Sequence, residues 1–325
     1  MAPGVGGYRQ INKALNICAF EDYLESQQTR LPRLLDVEQI SPRVIRVLGQ
    51  NPGKFTLQGT NTYIIGTGPS RLLIDTGQGI PDWATLISST LSSKNLTLSH
   101  VLLTHWHGDH TGGVPDLLRL YPSLSHSIHK HTPDRGKNQQ PIADGQVFRV
   151  EGATVRAVHA PGHSHDHCCF VLEEENALFT GDNVLGHGTA AVEHLRTWMG
   201  TLRLMLGLGC GRGYPAHGAV IEDLRGKIEG ELGAKVRREE MAMVALRSAQ
   251  GEGEGDGGGS GNKGKGKGRL TVKELVKTVY GDRMDDGVRE LALEPFMDEV
   301  LRKLAEDGMV GFDVRGGVKR WFAIA

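Results

Sequence analysis

The apolar, β-prone run Val101-Leu102-Leu103-Thr104 ends abruptly in His105-Trp106-His107-Gly108-Asp109-His110, and this junction constrains the chain more than any other feature. A short apolar run bounded in this way reads as a buried strand. Three imidazoles and a carboxylate within six positions must then be accommodated at its end. Packing does not account for them: none lies on a repeating apolar face, and each would have to be desolvated or left in water. The same groups suit a borderline-soft divalent cation such as zinc, which takes neutral imidazole nitrogen and carboxylate oxygen. A loop held by a rigid strand end, leading through Thr111-Gly112-Gly113 into a helix, is also where reactive groups collect.

A hydrolytic two-metal site needs more than four protein groups, and three further candidates share one local grammar. His163 follows Ala160-Pro161-Gly162, after the strand-like Val155-Arg156-Ala157-Val158. Asp182 closes Leu178-Phe179-Thr180-Gly181-Asp182, and His217 sits in Tyr214-Pro215-Ala216-His217-Gly218. In each, a strand stops and one ligand type sits in a glycine-containing turn. His165 and His167 compete with His163 for its role; the Pro-Gly turn favours His163. A carboxylate such as Asp182 can bridge two cations roughly 3.5–4 Å apart.

These motifs, in this order, resemble those of the metallo-β-lactamase superfamily over roughly residues 40–240. The resemblance implies an αββα sandwich, an α/β fold. It also implies one zinc held by His105, His107 and His163, a second held by Asp109, His110 and His217, and Asp182 between them. Manganese or iron could stand in for the two zinc ions. Asp75, in Leu73-Ile74-Asp75-Thr76-Gly77, matches an early family motif and would orient a metal-bound histidine. Asp109 would also orient the attacking water or accept its proton, which makes it the catalytic candidate.

The remaining histidines have plainer readings. His165 and His167 read as polar neighbours of His163, and His126, His129 and His131 as a solvated loop after Tyr121-Pro122-Ser123. His159 and His187 read as rim residues of a pocket, as do the turns Gly59-Thr60-Asn61-Thr62 and Gly186-His187-Gly188. No residue is singled out as a substrate contact.

With 325 residues and 38% hydrophobic content, the chain can bury a full core in one large domain and a small one. A net charge of −1 argues against broad attraction to nucleic acid. No apolar run approaches the roughly 20 residues of a membrane span, and the glycine-rich N-terminus has no apolar signal core. Four cysteines are too few for a disulfide scaffold. Cys168 and Cys169, adjacent in an apparent strand, point to opposite faces, so buried thiols and a cytoplasmic location are expected.

Four parts are expected along the chain: an N-terminal extension (1–40) with a helix over Ile11–Leu24, a catalytic domain (41–248), a flexible glycine- and lysine-rich linker (249–269) and a C-terminal module (270–325). Helices are expected near Trp83–Leu91 and Ile221–Leu246. In the last part, helices over Leu270–Val279 and Val288–Leu304, with a break or new start at Pro295, precede a glycine-turn hairpin from Val310 to Ile324. That order suggests a small winged-helix-like module. Its acidic helices (Glu290, Glu294, Asp298, Glu299, Glu306, Asp307) would repel phosphates, so docking or a structural role is favoured over nucleic acid.

Closer resemblance narrows the chemistry. The segments from Tyr8 to Phe20, from Asn51 to Tyr63 and from Gly181 to Gly188 are similar to fungal metallo-β-lactamase-type thioesterases, the atrochrysone carboxyl acyl-carrier-protein thioesterase group. The resemblance implies hydrolysis of a polyketide thioester on the acyl-carrier domain of a non-reducing polyketide synthase, releasing a carboxylic acid. The rival reading is a metal-dependent endoribonuclease of the lactamase-like group. Single-stranded RNA binding wants stacking aromatics, and aromatics total only 6%.

Overall fold

Strands without polar alternation need cover on both faces, and four consecutive strands of this chain receive it. A computed structural model describes residues 31–251, 268–282 and 286–324; the helix expected over Ile11–Leu24 and residues 252–267 of the expected linker lie outside them. β1 (Val37–Ser41), β2 (Val44–Leu48), β3 (Asn61–Ile65), β4 (Ser70–Ile74), β5 (Thr97–Leu103), β6 (Ile128–Lys130) and β7 (Gln140–Pro141) form one sheet in chain order. Pairing is antiparallel from β1 to β4 and parallel from β4 to β7. β8 (Val147–Val150), β9 (Ala153–His159), β10 (Cys168–Leu172), β11 (Ala177–Gly181) and β12 (Arg212–Pro215) form a second sheet in the order β12-β11-β10-β9-β8.

The two-residue period of a strand sorts the buried side chains into two cores. Val44, Tyr63, Ile65, Leu72, Ile74 and Leu102 face Phe148, Val155, Phe170, Leu172, Phe179 and Tyr214 of the other sheet. The intervening residues, Ile45, Val47, Ile64, Leu73, Val101 and Leu103, pack on helix α1 (Pro81–Ser93) through Trp83, Ile87 and Leu91. Val114 and Leu117 of α3 (Val114–Leu120) join that outer core; the four-residue α2 (Gly108–Thr111) lies just before it. Burying each such Leu or Ile contributes roughly 1.5–3 kcal/mol. α4 (Leu195–Gly207) buries Trp198, Met199, Leu202 and Met205, and its Trp198 Nε1–H donates to Asn183 O at 3.1 Å. Cys168 and Cys169 are buried free thiols, and burial pushes Cys168 up to about 12.

Topology then sets where strand ends meet. β9 and β11 run the same way because each is antiparallel to β10, and β12 is parallel to β11. The C-terminal ends of β9, β11 and β12 therefore share one edge of their sheet. The C-terminal ends of β4 and β5 share an edge of the other, beside the start of antiparallel β3. Asn61 N–H donates to Ala216 O at 2.7 Å, which joins the two edges into one rim.

Among the described residues the chain divides into two units, 31–229 and 230–324, with the division inside α5 (Leu224–Gly251). The second unit adds α6 (Val272–Tyr280), a helical turn at Asp286–Val288, a π-helical stretch at Arg289–Leu293, α7 (Glu294–Glu306) and the hairpin β13 (Val310–Arg315) and β14 (Val318–Ala323). Thr271 and Glu274 form a reciprocal cap at the start of α6. Pro295 lies in the first turn of α7, where its missing N–H costs nothing. Leu275, Met297, Leu301, Leu304, Val310 and Trp321 are buried. No helix among the described residues is long and apolar enough to cross a membrane.

The solvated loop expected around His129 is not what forms. His129 lies on β6 and is buried, with its ring 5.0 Å from Phe148 and its Nε2 3.0 Å from His100 Nδ1. His131 stacks on His159 at 4.0 Å. The alternation of a short strand turns His129 inward, which three polar-looking residues in sequence do not reveal. Burial, aided by the neighbouring His100, lowers His129 to about 4, and burial also lowers His100. Unfolded histidine titrates near 6.5, so this pair contributes stability that is present above that pH and is lost as pH falls towards 4. In His129→Gln, the decline in unfolding free energy between pH 6.5 and 4 should be about 1 kcal/mol smaller than in the wild type. Denaturation curves across that range check this, and coincident pH slopes for the two proteins would refute it.

Candidate metal centre

Every candidate ligand stands just beyond a strand end on the shared rim. His105 and His107 follow β5, and Asp109 and His110 occupy α2; all four are buried. His163 follows β9 in a turn that requires glycine at 162: φ is +141°, and a Cβ there would lie 2.5 Å from the Trp198 backbone. Asp182 follows β11 after Gly181, whose φ is +53° and whose Cβ would come within 2.3 Å of His167 Nε2. His217 follows β12.

The turns carrying these ligands are themselves held by polar side chains. Asn61 Nδ2 donates to Pro215 O and to Gly218 O, each at 2.8 Å, and Tyr63 OH donates to Pro215 O at 2.6 Å, bracketing His217. Asn183 Nδ2 donates to Ala160 O at 2.7 Å, and its Oδ1 accepts from His163 N–H. Asp166, fully buried, accepts from Ser164 Oγ at 2.9 Å and pairs with Lys130 Nζ at 2.8 Å, tying the His163 turn to β6. Thr60, Asn61 and Thr62, read from sequence as pocket rim, are instead buried at 0% exposure. A signal for Asn61 was present: an amide beside a strand start, where neither core packing nor solvation explains it.

Two groups of ligand atoms result, His105, His107, His163 and Asp182 in one, and Asp109, His110, Asp182 and His217 in the other. In each group the atoms lie within 4.8 Å of one another, and Asp182 belongs to both. In the first, His105 Nε2, His107 Nδ1 and His163 Nε2 are 2.8–3.2 Å apart. His163 Nδ1 lies 2.7 Å from Ala191 O, which can only accept, so Nδ1 carries the proton and Nε2 offers a lone pair. His110 is oriented in the same way: its Nδ1 donates to Asp75 Oδ2 at 2.8 Å. In the second group, Asp109 Oδ2, His110 Nε2, Asp182 Oδ1 and His217 Nε2 are buried with no hydrogen-bond partner among the described residues. His217 Nε2 is 3.3 Å from both carboxylates, and His110 Nε2 is 3.4 Å from Asp109 Oδ2. Buried carboxylate oxygens and imidazole nitrogens turned towards one another in this way fit a cation.

Titration tells the two groups apart. Burial lowers His107 to about 3, with His163 adding to it, and burial lowers His105 and His163 as well. These rings are neutral, as metal ligation needs. Burial also acts to lower His217, but Asp182 and Asp109 outweigh it and hold it up at about 10. His110 is raised in the same way, and Asp109 and Asp182 are held below the usual carboxylate range by these two histidines despite burial. The second group thus pairs two carboxylates with two histidines that they hold up, whereas the first sets neutral imidazoles around the shared Asp182.

The two alternatives to His163 part company. His165 is exposed, with its backbone N–H on Glu193. His167 is buried but turned to the Asp182 backbone, whose N–H lies 3.1 Å from its Nε2, and to Asn183. It belongs to neither ligand group.

Comparison with known proteins bears on this arrangement. The family model described as Metallo-beta-lactamase superfamily matches residues 55–217. The chain is 74% identical over 319 residues to an atrochrysone carboxyl ACP thioesterase of Aspergillus novofumigatus, covering 98% of this chain and 96% of that one. It is 69% identical over 324 residues to an atrochrysone carboxyl ACP thioesterase of Cryptosporiopsis sp., covering 100% and 98%. Among solved structures, a beta-lactamase domain protein from Burkholderia ambifaria superposes with a TM-score of 0.64 at 18% identity, covering 90% of this chain and 95% of that one.

The bracket around His217 makes a testable demand. Asn61→Ala strips the buried Gly218 carbonyl of its donor, at about 1–3 kcal/mol for a group left unsatisfied, while Pro215 O keeps the Tyr63 hydroxyl. The variant should lose about 1–3 kcal/mol in chemical denaturation, and an unchanged midpoint and slope would show that Asn61 does not hold the turn.

Proposed function

The chain belongs to the metallo-β-lactamase superfamily, and on that premise we propose that it is a zinc-dependent thioesterase that releases a polyketide carboxylic acid, similar to atrochrysone carboxylic acid, from an acyl-carrier protein. The observation that carries this reading is the pair of buried ligand groups sharing Asp182, in a chain 74% identical to a protein named as such a thioesterase. His105, His107 and His163 would hold one zinc and Asp109, His110 and His217 the other, with Asp182 common to both. Bound there, the metals supply Lewis acidity towards a carbonyl and a hydrolytic nucleophile at neutral pH.

The chain's own residues supply orientation and proton handling. Asp109 Oδ2, beside His110 and His217, is set to orient an attacking water and accept its proton. Asp75 and the Ala191 carbonyl hold His110 and His163 in the tautomer that aims Nε2 inward. A thioester suits such a site because its carbonyl has little resonance protection and its thiolate departs readily. The partner is the acyl-carrier domain of a non-reducing polyketide synthase, the location cytoplasmic, and residues 270–325 a winged-helix-like module for docking.

Purified protein should hydrolyse a polyketide thioester on an acyl-carrier protein and leave single-stranded RNA intact, with chelation abolishing turnover and zinc restoring it. RNA cleavage without thioester turnover would favour the nuclease reading. The double variant His105→Ala, His107→Ala should lose one metal by elemental analysis and about 100-fold or more in rate. Thioester turnover at the wild-type rate in that variant would contradict the assignment.

A further inference from the structure

Thr104 precedes the first ligand and is itself buried, with 1% exposure. Its Oγ1 lies 2.8 and 3.1 Å from the two Asp75 carboxylate oxygens, 3.0 Å from His105 Nδ1 and 3.3 Å from His110 Nδ1. Its backbone N–H donates to Asp75 Oδ1 at 2.8 Å. A hydroxyl has one hydrogen and two lone pairs, and a carboxylate only accepts. The Thr104 hydrogen therefore goes to Asp75, which leaves the oxygen as an acceptor. His105 Nδ1 faces that oxygen and must donate to it. This requires the His105 tautomer with hydrogen on Nδ1 and the lone pair on Nε2, the atom that points at His107 Nδ1 and His163 Nε2.

Asp75 reaches the other ligand group directly, since His110 Nδ1 donates to its Oδ2. One carboxylate thus stands behind both groups: behind His110 by contact, and behind His105 through the Thr104 hydroxyl. The backbone at Asp75 serves this geometry. Its φ of +57° turns the residue out of strand conformation just past β4, where its own N–H still bonds Leu102 O.

From this chain of donors and acceptors we infer that Thr104 is a positioning residue. It selects the His105 tautomer and couples the first ligand group to Asp75, so that both halves of the centre share one buried anchor. The inference rests on reading the two groups as metal sites. Removing the hydroxyl leaves His105 Nδ1 without an acceptor, so the ring is no longer held with its lone pair inward. The consequence falls on the group containing His105 and spares the one containing His110.

Zinc binding by the full chain tests this directly. Metal-free protein is titrated with zinc ion against a chelating dye of known affinity, which resolves each dissociation constant without reference to turnover. Thr104→Val, nearly equal in volume, should weaken one zinc by about 10–100-fold and leave the other unchanged. Thr104→Ser, which keeps the hydroxyl, should behave as the wild type. In a His107→Ala background, whose first group is already impaired, Thr104→Val should not alter the remaining tight zinc.

Two unchanged constants in Thr104→Val overturn the inference, as does a Ser variant as impaired as the Val variant. Weakening of the remaining zinc in the His107→Ala background overturns the link through His105. If Thr104→Val does not fold, Ser and Ala at the same position give the same comparison, since both lack the methyl and only Ser keeps the hydroxyl. Wild-type protein that takes up no zinc overturns the metal reading itself, an outcome distinct from two zincs bound alike by wild type and Thr104→Val.

Discussion

The rest of the structure depends on the burial of imidazoles and carboxylates that face one another around Asp182. Four of their polar atoms have no hydrogen-bond partner among the described residues, His110 and His217 meeting the two carboxylates only at 3.3–3.5 Å. Each such atom costs about 1–3 kcal/mol, a heavy load on a total stability of about 5–15 kcal/mol. A divalent cation held there would remove that cost and add its own binding free energy to folding. The two-sheet core is what makes the arrangement tolerable meanwhile, because strands buried on both faces hold their ends rigidly.

Around that centre the polar residues are layered by task. The candidate ligands face one another. Behind them stand groups that choose tautomers, such as Ala191 O for His163 and Asp75 for His110. Further out, Asn61, Asn183 and the Lys130–Asp166 pair hold the turns from which the ligands project. Much of this outer layer joins one sheet to the other: Asn61 on β3 grips the turn after β12, and Lys130 on β6 grips the turn after β9. The rim is thus a seam between the sheets, and the ligand groups straddle it.

Much of this was legible in the residues alone. The His-x-His-x-Asp-His run, and the glycine turns before His163, Asp182 and after His217, stand out because ligating side chains at strand ends have no packing explanation. The outer layer was less visible. Asn61 looked like a rim residue and His129 like part of a solvated loop, because a polar side chain in sequence looks the same whether it meets water or a buried carbonyl. Which it meets is decided by residues far away, in Asn61's case by a turn more than 150 positions on.

What the chain's order of residues determined by itself was therefore the kind of chemistry and the strand-and-turn units that carry it. These follow from local rules of periodicity, turn conformation and ligand type. Only the tertiary structure decided that five strand ends share one rim, that Asn61 and Lys130 hold the turns across it, and that Thr104 stands between Asp75 and His105. Those outcomes come from strand order and direction, which bring distant segments within hydrogen-bond reach. A hydrogen bond or a coordination bond forms only over about 2–3 Å, a precision that no pattern along the chain encodes.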